Sequence, residues 1–400
     1  MSAKLPQKAE KTIALNDLPF SEGGFILVER ALREVEPETP LLVTSSETDF
    51  SLHLAAWCRQ KGCGFEAVNA RECRITRPKS FTARAATATP AGTVQEPVAS
   101  APESWGLAAR GAMVEPGIMG FYFPLKQGDH IWTKRMTALY RRAAAAQWNP
   151  DTAIDWSQRV NNPPEIEAAV VQIMTYLIEN ETAALLIPAR FASQVHPQFF
   201  EVMQLLAIQA ADEARHIEVF RRRAMRNRDV LGLSTAGGQA SLKTLIDESD
   251  YSQATLLLSV LGEGSFLSLL HFLQMFAPDA LTRDICRLAA KDEARHVLFA
   301  MEHLQAAVKH EPALLHRFAA AIERRHAELT STAGLNEEVF NSLTILAAGS
   351  ISPTAIANGF KAVKRLENLM HIGRVRRLRQ LGFSGNTADG LSQLHTRNFM

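Results

Sequence analysis

Apolar positions along this chain change period twice. Up to about residue 78, short apolar runs alternate with helical-period stretches. Residues 12–15 read as a strand, Gly23 to Val35 as a helix, and Pro40 to Thr44 as a second strand. Asp49 to Lys61 reads as a helix capped by Asp49 and stopped at Gly62, and Phe65 to Val68 as a third strand. Such alternation predicts a small two-layer α/β domain over residues 1–78. Residues 79–104 have no periodicity and are rich in Ala, Thr, Pro and Ser, which predicts a linker.

Trp105 to Leu125 mixes several Gly with apolar residues and is expected to lie across the next domain; beyond it the period becomes helical, and residues 105–384 are expected to form a mainly α domain. Asp129 is placed to cap a helix running to about Gln147, with Trp148-Asn149-Pro150-Asp151 ending it. Pro164 suits a first helical turn, and that helix is expected to stop near Ile187, just before Pro188. Further helices are expected over 197–226, 251–276, up to about Lys309, and over 312–330, 336–348 and 354–380. A polar loop is expected at 228–240 and a loosely ordered tail from Gly385 to Met400.

Within this helical stretch one five-residue word occurs twice. Asp212-Glu213-Ala214-Arg215-His216 is repeated as Asp292-Glu293-Ala294-Arg295-His296. On a helix, positions i and i+3 share a face, so Glu213 points with His216 and Glu293 with His296. A carboxylate and an imidazole one turn apart can hold a metal ion between them. Glu323-Arg324-Arg325-His326 has the same Glu-x-x-His spacing, but it has no second copy and encloses two Arg, so it reads as a solvated helix face.

A four-helix di-metal site also needs one carboxylate from each of two further helices. About 30 residues before Glu293, Glu263 sits on a stripe of Leu256, Val260, Phe266, Leu267 and Leu270, a costly place for an unpaired carboxylate. About 32 residues before Glu213, two candidates compete. Glu181 shares its stripe with Val170, Met174, Leu177 and Leu185, whereas Glu179 shares its own with Gln172, Thr175 and Thr182. Glu181 is therefore the expected ligand.

Paired carboxylate helices with two Asp-Glu-x-Arg-His helices resemble the ferritin-like di-iron carboxylate proteins. The likeness is greatest to the hydroxylase subunits of bacterial di-iron monooxygenases and to the small subunit of class I ribonucleotide reductase. It covers roughly residues 125–310. It implies a ferritin-like four-helix bundle with additional helices, and two iron ions held by Glu181, Glu213, His216, Glu263, Glu293 and His296. Manganese or a mixed iron–manganese pair fits the same ligands. The resemblance also implies supporting roles for Asp212 and Asp292, held in turn by Arg215 and Arg295. Each Asp is expected to bind the His of the opposite word, fixing its tautomer. Phe220 and Ala300 stand where a radical-generating subunit would need Tyr, so a tyrosyl radical is not expected.

The implied activity is that of an O2-dependent oxygenase or oxidase on a small organic substrate, in a pocket lined by Leu177, Ala184, Leu185, Phe266 and Leu267. The alternatives are a non-catalytic ferritin-like iron-binding protein and a sulfur-relay scaffold. The latter arises because the order of the first 78 residues, with Ala56-Trp57-Cys58-Arg59 then Gly62, is similar to the carrier domains of the sulfurtransferase family. Those domains carry Cys before the first helix; here the matching position is near Ser21 and holds no Cys. Cys58, Cys63 and Cys73 are expected as buried small apolar residues.

Charge changes the picture little. Forty-three basic against 42 acidic residues leave +1, which gives no pull toward nucleic acid. The first residues lack an apolar signal core and no stretch is expected to span a membrane, so a cytoplasmic protein is expected. Lys361, Lys364, Arg365, Arg374, Arg376, Arg377 and Arg379 on the last long helix read as a solvated face, or as a dock for an electron-donor protein. A homodimer is the simplest assembly.

Overall fold

The structure is a computed structural model that describes residues 10–79, 87–329 and 337–395. The chain packs as two units, one made of Met1–Pro90 with Met113–Ile118 and the other of Ala91–Ala112 with Met119–Met400.

In the first unit, β1 (Lys11–Ala14), α1 (Gly24–Glu34), β2 (Pro40–Thr44), α2 (Phe50–Lys61), β3 (Gly64–Ala67) and β4 (Glu72–Thr76) follow in order. The sheet order is β1-β2-β4-β3. β1 and β2 are parallel, as the intervening helix allows, and β4 is antiparallel to both its neighbours. Leu41, Val43, Cys73 and Ile75 alternate inward from the sheet and meet Val28 and Leu32 of α1 and Phe50, Leu54 and Cys58 of α2. Gly62 ends α2 in the left-handed region at φ 69°. Strand β4 was not expected. Glu72-Cys73-Arg74-Ile75-Thr76 does alternate polar and apolar, but with only two inward residues, Cys73 and Ile75, the pattern is short. A two-residue pair, β5 (Thr89–Pro90) with β6 (Met113–Val114), completes the unit.

The second unit is helical: α3 (Gly128–Ile131), α4 (Met136–Ala145), α5 (Pro150–Ala153), α6 (Pro164–Ala192), α7 (Phe200–Ala224), α8 (Ala236–Ile246), α9 (Tyr251–Thr255), a π-helical segment (Leu256–Glu263), α10 (Gly264–Phe276) and α11 (Ala280–His310). Beyond them lie α12 (Leu314–Leu329), α13 (Glu337–Ala348), α14 (Pro353–Leu381) and α15 (Gly385–His395). The chain is thus mainly α, as expected. Two hairpins form the bundle: α6 with α7, and the α9–α10 stretch with α11. They meet where α7 packs on α11, while α13 covers α6 and α14 covers α10.

Several expectations are corrected. The segment 79–104 is not one linker: residues 80–86 lie outside the described residues, and from Ala91 the chain lies against the helices. Small side chains let its backbone pair there, with Ala101 N–H donating to Lys126 O and Gly128 N–H to Ala99 O. Arg110 anchors the segment through a buried pair with Glu201, which also accepts from Trp132 Nε1 and Thr137 Oγ1.

The tail from 385 is not loose as far as it is described. α15 buries Ala388, Leu391, Ser392 and His395; residues 396–400 lie outside the described residues. The loop at 228–240 gives way to α8 from Ala236, capped by Thr235. Asp129 does not cap a long helix, because the backbone is extended at Trp132 and splits it into α3 and α4. α6 continues past Pro188, since tertiary packing of Ile187, Pro188 and Phe191 outweighs one lost backbone bond.

By length and composition alone, Pro164–Ala192 and Tyr251–Phe276 could each cross a membrane, contrary to the sequence expectation. In this fold their apolar surface belongs to the bundle core, and each carries a buried carboxylate, Glu181 or Glu263.

Candidate metal centre

Each bundle helix brings one inward carboxylate to the same level. Glu181 comes from α6, Glu213 with His216 from α7, Glu263 from the end of the π-helical segment, and Glu293 with His296 from α11. All six side chains are buried. Their ligand atoms form two groups: Glu181, Glu213, His216 and Glu293, and Glu213, Glu263, Glu293 and His296. Within each group the atoms lie within 4.8 Å of one another. Glu213 and Glu293 belong to both groups, so they stand between two adjacent positions.

His216 Nδ1 is 3.0 Å from Glu213 Oε2, 3.5 Å from Glu293 Oε1 and 3.7 Å from Glu181 Oε1. His296 Nδ1 is 3.0 Å from Glu213 Oε1 and 3.5 Å from Glu293 Oε2. The other ring nitrogen of each His faces the opposite word. His216 Nε2 lies 3.1 Å from Asp292 Oδ2, and His296 Nε2 lies 3.1 Å from Asp212 Oδ2. A proton held at Nε2 by the Asp leaves the Nδ1 lone pair facing the carboxylates.

Arg215 joins the two Asp, touching Asp212 and lying 3.0 Å from Asp292 Oδ2. Arg295 does the same from the other side, touching Asp292 and lying 3.4 Å from Asp212 Oδ2. All five letters of the word except Ala therefore act in this layer.

Two further donors escaped the sequence reading. Gln147 Nε2 donates to Asp212 Oδ1 at 2.9 Å, and Trp148 Nε1 donates to Asp292 Oδ2 at 2.7 Å. The Trp148 ring also stacks near that of His216, and the Arg215 guanidinium lies over it. Read along the chain, these residues only ended a helix. Gln209, on α7 one turn before Glu213, was also missed; its amide donates to Glu263 Oε1 at 2.8 Å.

The electrostatics show what the cluster lacks. Burial and the neighbouring Glu213 push the Glu181 carboxyl up to about 8. Burial and Glu293 push Glu263 well above its ordinary range. Burial opposes charge on His216 and His296, yet the carboxylates around them raise both well above the usual imidazole value. Burial would raise Asp212 and Asp292 too, but the His and Arg beside them hold both below the carboxylate range.

Each Asp thus has an Arg to balance it, while four Glu share two imidazoles. Glu181 Oε1, Glu213 Oε1, Glu263 Oε2, both Glu293 oxygens and His296 Nδ1 are buried and form no hydrogen bond. Buried polar atoms are rarely left so, and here they converge. Two divalent cations would satisfy these atoms and balance the four Glu charges, and the oxygen and imidazole donors suit iron or manganese. The residues fit the metal pair.

Glu179 is half-buried on another face of α6, and the Glu323-x-x-His326 spacing stays apart from the centre: Glu323 is exposed and His326 meets Leu394 O. Phe220 packs near His216, and Ala300 is buried.

The five residues expected around a substrate pocket are placed as follows. Leu177, Ala184 and Phe266 are packed in the core, Phe266 against Tyr176, while Leu185 and Leu267 are half-buried. None of the five lines the narrow internal cavity that adjoins the centre. That cavity is lined by the polar Gln209, Tyr251, Thr255 and Ser259 and by apolar residues that include Ile187, Phe191, Leu206 and Phe299. Tyr251, Thr255 and Ser259 recur every four residues toward Glu263, and the Tyr251 hydroxyl finds no hydrogen-bond partner among the described residues.

The structure brings together all six residues that the sequence resemblance implied as ligands. No protein-family model matches the chain, and no curated protein sequence matches it. Among solved structures, it is similar to a Synechococcus protein with aldehyde deformylating oxidase activity, at 16% identity and TM-score 0.41, over 57% of this chain and 96% of that one. It is also similar to an R2-like ligand-binding oxidase from Sulfolobus acidocaldarius, at 14% identity and TM-score 0.37, over 63% of this chain and 92% of that one.

Proposed function

We propose that this chain is an O2-dependent di-iron oxidase or oxygenase acting on a small organic substrate. The observation that supports it most is the sharing of Glu213 and Glu293 between two ligand groups whose buried oxygens otherwise lack partners. When bound, a pair of iron ions supplies redox chemistry with O2.

The chain's own residues prepare that chemistry. Asp212 and Asp292 hold a proton at Nε2 of each His and so keep each Nδ1 available. Trp148, Phe220 and Phe299 exclude water around the ligands. The narrow cavity beside Gln209 and Ser259 measures about 10 Å³, room for a water- or O2-sized molecule and not for an organic substrate, with Tyr251 offering one hydroxyl. In an oxidase the electrons for O2 reduction come from the substrate; in an oxygenase an electron-donor protein supplies part of them. The enclosed, paired groups suit two fixed ions better than a growing iron deposit, which favours catalysis over storage.

The test is to load the protein anaerobically with Fe(II), admit O2 with a reductant, and follow O2 uptake and iron content together. Repeated O2 consumption with about two irons retained per chain is expected. Accumulation of many irons per chain, or no O2 uptake by the loaded protein, would overturn the reading.

A further inference from the structure

The helix that carries Glu263 is irregular at that residue. Leu256–Glu263 is wound as a π-helix, and the acceptors of the Gly264 N–H include Ser259 O, five residues back. π-helical segments inside α-helices are rare, leave carbonyls displaced from their α-helical donors, and favour functional sites. The Gly264 N–H thereby passes over Val260 O, four residues back and its ordinary α-helical acceptor, and Val260 is fully buried. A buried carbonyl needs a donor.

The donor comes from 117 residues away. Arg377 Nε on α14 donates to Val260 O at 2.6 Å. Its guanidinium lies flat on Gly264: a Cβ there would meet Arg377 Cζ at 2.4 Å and Nε at 2.5 Å. Gly264 thus leaves the space the guanidinium occupies. One turn earlier on α14, Arg374 Nη1 donates to Ser265 Oγ at 3.1 Å, and Ser265 Oγ donates to Leu261 O at 2.6 Å. Two arginines of one helix therefore grip neighbouring carbonyls of the π-helical segment, Val260 directly and Leu261 through Ser265.

We propose that Arg377 is a positioning residue for the metal centre, holding the wide turn that aims Glu263 into its ligand group. The inference rests on the two-metal reading. Without Arg377, the buried Val260 carbonyl regains a partner most simply if the turn closes to an ordinary α-helix. Closing it removes one residue from the turn and rotates Glu263 away from Gln209 and Glu293. The ligand group of Glu213, Glu263, Glu293 and His296 would then lose a member, while the group containing Glu181 would keep all of its own.

The test is anaerobic Fe(II) titration with elemental analysis, with Co(II) absorption as an independent report on coordination. Wild type is compared with Arg377→Ala, Arg377→Lys, Gly264→Ala and, as a control on the same helix, the exposed Arg379→Ala. Two ions per chain are expected for wild type and Arg379→Ala. In Arg377→Ala one ion should bind about 10-fold or more weakly, the range typical for loss of a ligand-orienting contact. Added guanidinium ion at a non-denaturing concentration should restore that affinity, a rescue that mere loss of stability would not show. If Arg377→Ala fails to fold, Arg377→Lys and Gly264→Ala carry the test, since each displaces the guanidinium from Val260 O. Wild-type binding of both ions by every variant that folds overturns the role of Arg377 and leaves the two-metal reading intact. Wild-type protein that binds no ion overturns both.

Discussion

His216 is bound not by the Asp of its own five-residue word but by Asp292 of the other, at 3.1 Å, and His296 is bound by Asp212 at the same distance. This crossing ties α7 to α11 through the second nitrogen of each imidazole. Neither word can work alone, because each supplies the acceptor that orients the other's ligand.

Asp292→Asn keeps the size but removes the charge that favours the Nε2–H tautomer. It should weaken metal binding by about 10–100-fold without unfolding the bundle. Fe(II) titration beside far-ultraviolet circular dichroism checks this; unchanged affinity in a folded variant would show that the crossed pairs do not serve the metal.

Glu181 is buried in one ligand group, whereas Glu179 is half-buried on another face of α6. Glu181→Ala should cost one of the two ions, and Glu179→Ala should keep both. Elemental analysis after loading separates them, and the reverse result would place the wrong face of α6 at the centre.

The helical part and the buried carboxylate–imidazole cluster were legible for different reasons. The repeated word named four members of the cluster because carboxylate and imidazole at i, i+3 are rare in a core-facing stripe. Glu181 and Glu263 followed from the cost of an isolated carboxylate among apolar neighbours. Gln147, Trp148 and Gln209 left no trace, since their roles arise only when α4 or α7 meets a partner helix. The π-helical segment was invisible because Ser259 alone interrupts the apolar run Leu256–Leu261, too little to separate one helical period from another.

A second buried charge cluster makes the fold sensitive to acid. Arg223 on α7 donates to Glu167 of α6 at 2.7 and 2.9 Å and to Asp279, the cap of α11, at 2.7 Å. Burial would raise Asp279, but Arg223, the Thr282 N–H and Asn162 lower it below the ordinary value. Its folded pKa lies under that of the unfolded chain, about 3.9. Its contribution to stability is therefore complete above about pH 4 and is lost as pH falls through the folded value. Urea unfolding between neutral and acid pH should show this decline, and Asp279→Asn should flatten it. Equal pH dependence in the two proteins would remove Asp279 from the explanation.

Removing Arg223 leaves Glu167 and Asp279 buried without their cation. Arg223→Ala should destabilise the helical unit by about 3–5 kcal/mol at neutral pH. Chemical denaturation measures this directly, and a loss under about 1 kcal/mol would mean that water reaches the carboxylates.

Metal stoichiometry after anaerobic Fe(II) loading decides the account most directly, read on wild type and Glu213→Ala side by side. Glu213 belongs to both ligand groups. Wild type should hold about two ions per chain, and Glu213→Ala should lose tight binding at both positions. Wild-type protein that retains no transition metal, or a Glu213→Ala variant that still holds two ions as tightly, would contradict it.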